Sequence, residues 1–268
     1  MNDPLRSLSV GRPAARSVLL TVLGEYVLPN EAGVWQETLI ETLGMLGYKP
    51  QAARQAIARS VTSGWLQSER RGRRAHMLLT ERSRQLLSAG TERIYGFGEP
   101  WQWDGHWLLV VVRVPEERRE VRHQVRTRLA WSGFGSLGGG LWITPHADRA
   151  IDLPAPADVL SFRAESGEAE RIIGEAWDLE AVAGAYDGFI EAFDALRPRS
   201  PEAMFRALTL MVHEWRKFPF LDPDLPPPLL PAAWPGRRAL QLFRARHDAW
   251  SAGALEHFGA LEAARAAA

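Results

Sequence analysis

Nine side chains of this 268-residue chain invite one kind of chemistry. Lys49, Gln51, Arg54, Gln55 and Arg59 share one short stretch, and Arg70, Arg71, Arg73 and Arg74 crowd the next. An arginine fork spans O6 and N7 of guanine, and a glutamine amide spans N6 and N7 of adenine. The same fork also fits a phosphate. No acidic residue lies between Lys49 and Ser68, and residues 49–84 hold 9 basic and 2 acidic side chains, a net of +7. Four arginines around one turn repel each other unless an anion lies nearby. The chemistry offered is contact with a nucleic acid.

Other chemistries are written more faintly. Trp215, Arg216, Lys217, Phe218 and Phe220 place apolar rings beside cations. Such a mix could hold an aromatic acyl group on a phosphorylated carrier. Core aromatics whose cationic neighbours reach for water explain it more simply. Asp222 and Asp224 could ligate a hard metal, but carboxylates between prolines are more often turn residues. The seven histidines form no i,i+4 pair and no H-E-x-x-H. There is no cysteine, no P-loop and no G-x-S-x-G, so no catalytic site is written locally. Residues 133–138 match G-x-G-x-x-G. A dinucleotide fingerprint needs a strand before it and a helix after it. Here the order is reversed, and a flexible turn suffices.

Composition frames these sites. Lys plus Arg number 32 and so do Asp plus Glu, a neutral sum that argues against a uniformly basic binder. The sum is uneven: residues 1–98 carry +5, 99–150 carry +1 and 151–268 carry −6. Only Lys49 and Lys217 are lysines. Most of that arginine excess is compositional drift, so a role is assigned only where spacing supports it. At 46% hydrophobic and 24% charged the chain is globular. Without cysteine it suits a reducing compartment. It has no apolar run long enough for a membrane span, and no apolar leader in residues 1–12. A cytoplasmic location is expected.

The elements that must position the candidates follow from periodicity. Residues 14–28 and 35–46 carry apolar side chains at helical spacing. Pro50 suits the first turn of a third helix, 50–63, since its missing N–H has no intrahelical partner there. Ala53, Ala56, Ile57, Ser60 and Val61 fall on one side of it. Gln51, Arg54, Gln55, Ala58, Arg59 and Thr62 fall on the other. That face alone fits a recognition helix or a plain solvated surface equally well. The next piece decides. Short apolar-rich strands at 65–69 and 75–79 flank Arg70-Arg71-Gly72-Arg73-Arg74, where Gly72 can take the positive φ of a tight hairpin. Thr80 then caps a fourth helix to about residue 89. Three helices, a basic-tipped hairpin and a helix make the plan of a winged helix-turn-helix.

Further on, 95–103 reads as a linker and 106–114 as an apolar strand. Pro115 opens a helix to about 131, 133–140 is a loop, and 141–144 and 159–163 are strands. This is compatible with a ferredoxin-like sandwich. Helices are expected at 178–196, from a Ser200 cap to 215, and at 239–264. Five prolines within 219–228 forbid continuous helix, and their apolar neighbours make an ordered belt.

Four blocks carry a resemblance. ARSVLLTVLGEYVLP, RQAIARSVTSGWLQSERRGRRAHMLLT, WDGHWLLVVVRVPEERREVRHQVRTRLAWSGFGSLGGGLWITP and EWRKFPFLDPDLPPPLLPAAWPGRRALQLF together resemble the PaaX family of phenylacetate-degradation repressors. WRKFPFLDPDLP is the most specific part. The resemblance implies an α+β chain in three parts: an N-terminal winged helix-turn-helix over 1–95, a central ferredoxin-like α/β domain over 96–172 and a C-terminal all-α domain over 173–268. It implies a homodimeric repressor of an aromatic-acid catabolic operon, released from operator DNA by phenylacetyl-CoA or a related acyl-CoA. It implies no catalytic cofactor and no enzymatic activity. The central part is also similar to the CRISPR spacer-acquisition nuclease fold. Those nucleases place an Asp at the end of the first strand. Val112-Arg113-Val114-Pro115 stands there instead, which counts against nuclease activity. The return strand Ala75-His76-Met77-Leu78-Leu79 is less aromatic and less basic than the family leads one to expect, so operator and inducer could both differ.

Two rivals remain at this level. One is a metal-dependent hydrolase or nuclease using Asp222 or Asp224, with the winged helix as a docking module. The other is a winged-helix interaction protein that binds no DNA.

Overall fold

The computed structural model describes residues 13–30, 32–99, 101–149, 151 and 153–267; the sequence at 1–12 lies outside them. The chain is α+β with two antiparallel sheets. It divides into two compact units. One comprises Met1–Tyr95, Gly188–Arg216 and Arg238–Ala268, the other Gly96–Asp187 and Lys217–Arg237. The helices toward the C-terminus are thus shared between the units.

In the first unit α1 (Ala15–Val22) runs into a π-helical turn at Leu23–Val27. Then come β1 (Val34–Trp35), α2 (Gln36–Met45), α3 (Pro50–Thr62), β2 (Leu66–Arg71), β3 (Arg74–Leu79) and α4 (Glu81–Gly96). The sheet order is β1-β3-β2. Val18, Leu19, Val22, Leu39, Leu43, Ala53 and Ile57 are buried, the apolar sides that periodicity assigned inward, and Leu66 and Leu79 of the hairpin are buried with them. The fourth helix runs seven residues past its expected end. Its cap is as expected: the Thr80 hydroxyl accepts from the Ser83 N–H at 3.2 Å. The two-residue β1 had no sequence signal, because it is a strand only through its pairing of Val34 with Met77 and Trp35 with His76.

The same unit takes in all of α8 and most of α10. The range of α8 is Pro201–Trp215, started by Ser200, whose hydroxyl accepts from the Ala203 N–H, with Pro201 in the first turn. The range of α10 is Gly236–Ala266. Phe205, Leu208, Met211 and Trp215 of α8 are buried with Phe243, Trp250 and Phe258 of α10. Trp215 stacks on Phe243 with centroids 4.6 Å apart. Some buried polar groups here are paired across the helices, as burial favours. Thr21 meets His213, and Tyr26 meets Thr209, each at 3.0 Å. At the π-helical turn the Tyr95 hydroxyl donates to Glu25 at 2.8 Å, with His247 3.0 Å from the same hydroxyl. Burial, reinforced by Glu25, holds the Tyr95 phenol well above its ordinary pKa.

The second unit is built on the sheet β5-β6-β4-β7, antiparallel throughout. Its strands are β4 (Trp107–Arg113), β5 (Gly135–Gly138), β6 (Leu141–Thr144) and β7 (Asp158–Ala164). Side chains alternate across β4. Leu108, Val110 and Val112 pack with Val125 and Leu129 of α5 (Arg119–Trp131). Trp107 packs on the opposite face with Ile143, Leu225 and Ile173 of α6 (Ala169–Ala176). Helix α7 (Leu179–Asp194) follows, then the short α9 (Phe218–Leu221) and a 3-10 turn at Pro227–Leu229. The proline belt is ordered, with Phe218, Pro219, Pro223 and Leu225 buried.

Two expectations are corrected here, and one helix is added. Pro115 does not open α5: its carbonyl accepts from the Arg118 N–H in a turn, and the helix begins at Arg119. The loop expected at 133–140 contains β5, whose glycines gave it no strand-like pattern. Helix α6 was not foreseen at all. For the G-x-G-x-x-G match, helix α5 precedes the glycines and strand follows, the order that excludes a dinucleotide fingerprint.

Candidate nucleic-acid interface

Helix α3 is tied at both ends. The Lys49 carbonyl accepts from the Ala53 N–H at 3.1 Å. At the other end the Gly64 and Trp65 N–H groups close on the Val61 and Ser60 carbonyls at 3.0 and 2.8 Å, the paired bonds that satisfy a helix C-terminus. With Ala53, Ala56, Ile57 and Ser60 buried, Lys49, Gln51, Arg54, Gln55 and Arg59 lie on the solvent side of the helix. Among the described residues none of these five side chains has an ion-pair or hydrogen-bond partner. Nearby, Arg16 donates to the Ser63 hydroxyl at 2.9 Å and fixes the end of the helix against α1.

The hairpin keeps register from Leu66 opposite Leu79 to Arg71 opposite Arg74, leaving Gly72 and Arg73 as its two-residue tip. Gly72 has φ +64°, the conformation expected of it. The four arginines do not behave alike. Arg70, Arg71 and Arg73 are exposed. Arg70 Nε folds back on the Gly72 carbonyl at 3.2 Å, and Arg71 sits 3.5 Å from Glu69 across open surface. Arg74 turns inward. Its guanidinium lies over the Trp35 ring, donates to the Arg265 carbonyl and stands 3.8 Å from Glu37.

Residues that sequence reasoning missed complete this anchor. Both Glu262 carboxylate oxygens accept from the Trp35 N–H, at 3.2 and 3.4 Å. Burial pushes the Glu262 carboxyl up, opposed by that bond and by Arg74. Arg265 pairs with Glu41 of α2 at 2.5 Å. The last turns of α10 therefore grip β1, α2 and the start of β3 together. No local pattern could announce this, because the partners are about two hundred residues apart in sequence.

The five candidate ligand residues have separate commitments. Trp215 is buried and donates through Nε1 to the Ile94 carbonyl at 3.1 Å. Arg216 donates to the Ser17 hydroxyl at 2.7 Å, and burial depresses its pKa. Lys217 is exposed. Phe218 stacks flat on Tyr186, centroids 4.0 Å apart, while Phe220 is half-exposed against Trp131. Asp222 is buried, accepting from the Tyr186 hydroxyl at 2.6 Å and the Asp224 N–H at 2.7 Å, and burial pushes its carboxyl up. Its two oxygens are thus engaged by the protein itself. Asp224, at φ +57°, faces His146 at 3.6 Å. Among the described residues no three His, Asp or Glu side chains gather as a metal site would require.

The second unit also carries a groove of about 760 Å³, lined by α6, the start of α7 and Pro228–Pro231. Glu170, Glu175, Asp178 and Glu180 give it an acidic rim, unsuited to the phosphates of a CoA thioester. Among the described residues no helix is long and apolar enough to cross a membrane.

Comparison with known proteins agrees across most of the chain. Residues 14–83 match the family model described as PaaX-like protein, 100–154 the PaaX protein central Cas2-like domain, and 177–260 the PaaX-like protein C-terminal domain. The transcriptional repressor PaaX of Escherichia coli (strain K12) is 28% identical over 84% of this chain and 77% of its own length. The solved structure of the uncharacterized protein Rv0674 from Mycobacterium tuberculosis is 25% identical. It superposes with a TM-score of 0.63 over 92% of this chain and 98% of that one. With all three models matched in order, this chain belongs to the PaaX-like family and is a non-enzymatic regulator.

Proposed function

We propose that the chain is a DNA-binding transcriptional repressor whose first unit works as a winged helix-turn-helix. The observation that carries this is the Lys49, Gln51, Arg54, Gln55 and Arg59 face of α3, without partners among the described residues, together with the exposed arginines of the hairpin tip. In this reading α3 enters the major groove and Arg54, Gln51, Gln55 and Arg59 read base edges. Lys49, Arg70, Arg71 and Arg73 hold phosphates, with Arg74 steadying the hairpin from behind. The second unit's strand order suits a ferredoxin-like domain. Its β6-to-β7 crossover shows no helix among the described residues, and α6 follows β7 instead.

The active species is a homodimer on a two-fold operator. The effector is phenylacetyl-CoA or a related acyl-CoA, and the target is an aromatic-acid catabolic operon. This rests on likeness to the PaaX-like family and to the repressor from Escherichia coli. The effector would favour a dimer whose recognition helices no longer match half-sites about 34–36 Å apart. The hydrolase alternative is not favoured, since Asp222 is occupied by Tyr186 and the backbone.

The test is a mobility shift on the promoter duplex upstream of this gene, titrated with phenylacetyl-CoA. Release of the duplex is expected. Linkage then requires the duplex to weaken acyl-CoA binding by the same factor. Unchanged operator affinity across the titration refutes that effector. No duplex binding even at low salt refutes the repressor.

A further inference from the structure

Helix α5 belongs to the second unit, not to the one that carries the residues assigned to base reading. Val125 and Leu129 are its buried positions, which fixes the orientation of the rest. At about 100° per residue, Arg119, Arg122, His123 and Arg126 fall within one sector about 100° wide. All four are exposed. The acidic residue of this helix, Glu120, falls outside the sector.

Among the described residues, the counter-charges that Arg163 and Arg171 find elsewhere in this unit are missing here. Arg163 pairs with Asp104 at 2.6 Å, and Arg171 with Glu175 at 3.0 Å and Glu168 at 3.5 Å. On α5, Arg122 donates to the Glu116 backbone carbonyl at 2.7 Å, which leaves its charge uncompensated. Arg119 and Arg126 have no side-chain partner among the described residues. Three guanidinium groups on one flank, with no carboxylate partner among the described residues, repel each other and are relieved by a polyanion.

We infer that this stripe is a second, sequence-independent contact for the phosphate backbone of duplex DNA. The inference rests on the repressor reading above. Seven residues separate Arg119 from Arg126, about 10 Å of helix. A DNA strand presents one phosphate per ~3.4 Å of axis, so the stripe spans about three phosphates. It lacks the Asn or Gln needed to read a base edge, because Gln124 lies on another side of the helix. Its role is affinity and steering, with specificity left to α3.

The experiment uses the full chain carrying Arg119→Gln, Arg122→Gln and Arg126→Gln together. Binding to the promoter duplex and to an unrelated duplex of equal length is measured over a salt series. The triple variant is expected to flatten the slope of log K against log salt by about 0.9 for each phosphate it no longer neutralises, so by about two to three in all. Both duplexes weaken by the same factor, leaving their affinity ratio unchanged. The corresponding Lys triple variant restores the slope, since a point charge suffices at a phosphate, and it also controls for misfolding. If the wild type binds with a steep slope and the Gln variant keeps that slope, the stripe does not touch DNA. A Lys variant as flat as the Gln variant also overturns it. If the wild type binds neither duplex at low salt, the repressor reading itself fails.

Discussion

The Arg74 guanidinium lies 4.4 Å from the centroid of the Trp35 ring, beside the tip of a hairpin whose other arginines face outward. Its charge is spent on Trp35, on Glu37 and on the carbonyl of Arg265, not on an external phosphate. Arg74→Ala is therefore expected to cost about 1–2 kcal/mol of folding stability, since it removes a cation–π pair and charge-assisted bonds. Arg73→Ala leaves stability unchanged and flattens the salt dependence of DNA binding by about 0.9. Denaturant unfolding and salt-titrated binding of both variants check the split. A flattened slope in Arg74→Ala with stability intact would show that the side chain faces DNA after all.

Arg54 is exposed at the second turn of α3 with no partner among the described residues. Arg54→Ala is expected to weaken operator binding by about 1–3 kcal/mol and to relax preference at one base position. Binding to a panel of single-base operator variants checks this. Equal weakening on every member of the panel makes Arg54 a phosphate contact.

Gly33 leads into β1 with φ +81°, and a Cβ there would lie 2.7 Å from the Met77 carbonyl oxygen and 2.5 Å from Leu78 Cδ2. Backbone cannot retreat as a flexible side chain can. Gly33→Ala is expected to destabilise the first unit by at least about 2 kcal/mol, the left-handed strain alone being ~1–2. Gly64→Ala, at a similar φ with open space around it, bears the conformational strain alone. Thermal unfolding of the pair separates the steric cost from the conformational one.

His76 is buried in β3 against the edge of Trp35, and burial, aided by Arg71, holds its pKa below the ordinary histidine value. The folded state therefore binds fewer protons than the unfolded chain near that value. The stability this represents is present above the unfolded pKa of ~6.5 and is lost as pH falls through the folded one. Urea unfolding at about pH 7.5 and about pH 5, on either side of that window, is expected to show a decline on the acid side that shrinks in His76→Gln. An equal decline in both proteins would place the titrating group elsewhere.

The pieces that are local in nature could be read from the order of residues. The Pro50 start and the Ala53, Ala56, Ile57 and Ser60 face define α3. Gly72 sets the hairpin tip, and Ser200 with Pro201 starts α8. Each depends on a handful of neighbouring residues, and the 3.6- and 2-residue periods write such elements directly into the succession of side chains. Other features exist only through packing. Val34 and Trp35 are a strand only because β3 lies beside them. The glycines of β5 pair with β6 without any apolar alternation to announce it. Arg74 and Arg73 are neighbours of one type in the same turn, yet one is an anchor and the other faces solvent. What separates them is Arg265, 191 residues away, whose carbonyl lies at the foot of one side chain and not of the other. A contact at that distance in sequence leaves no local pattern, because it is set by how helices pack.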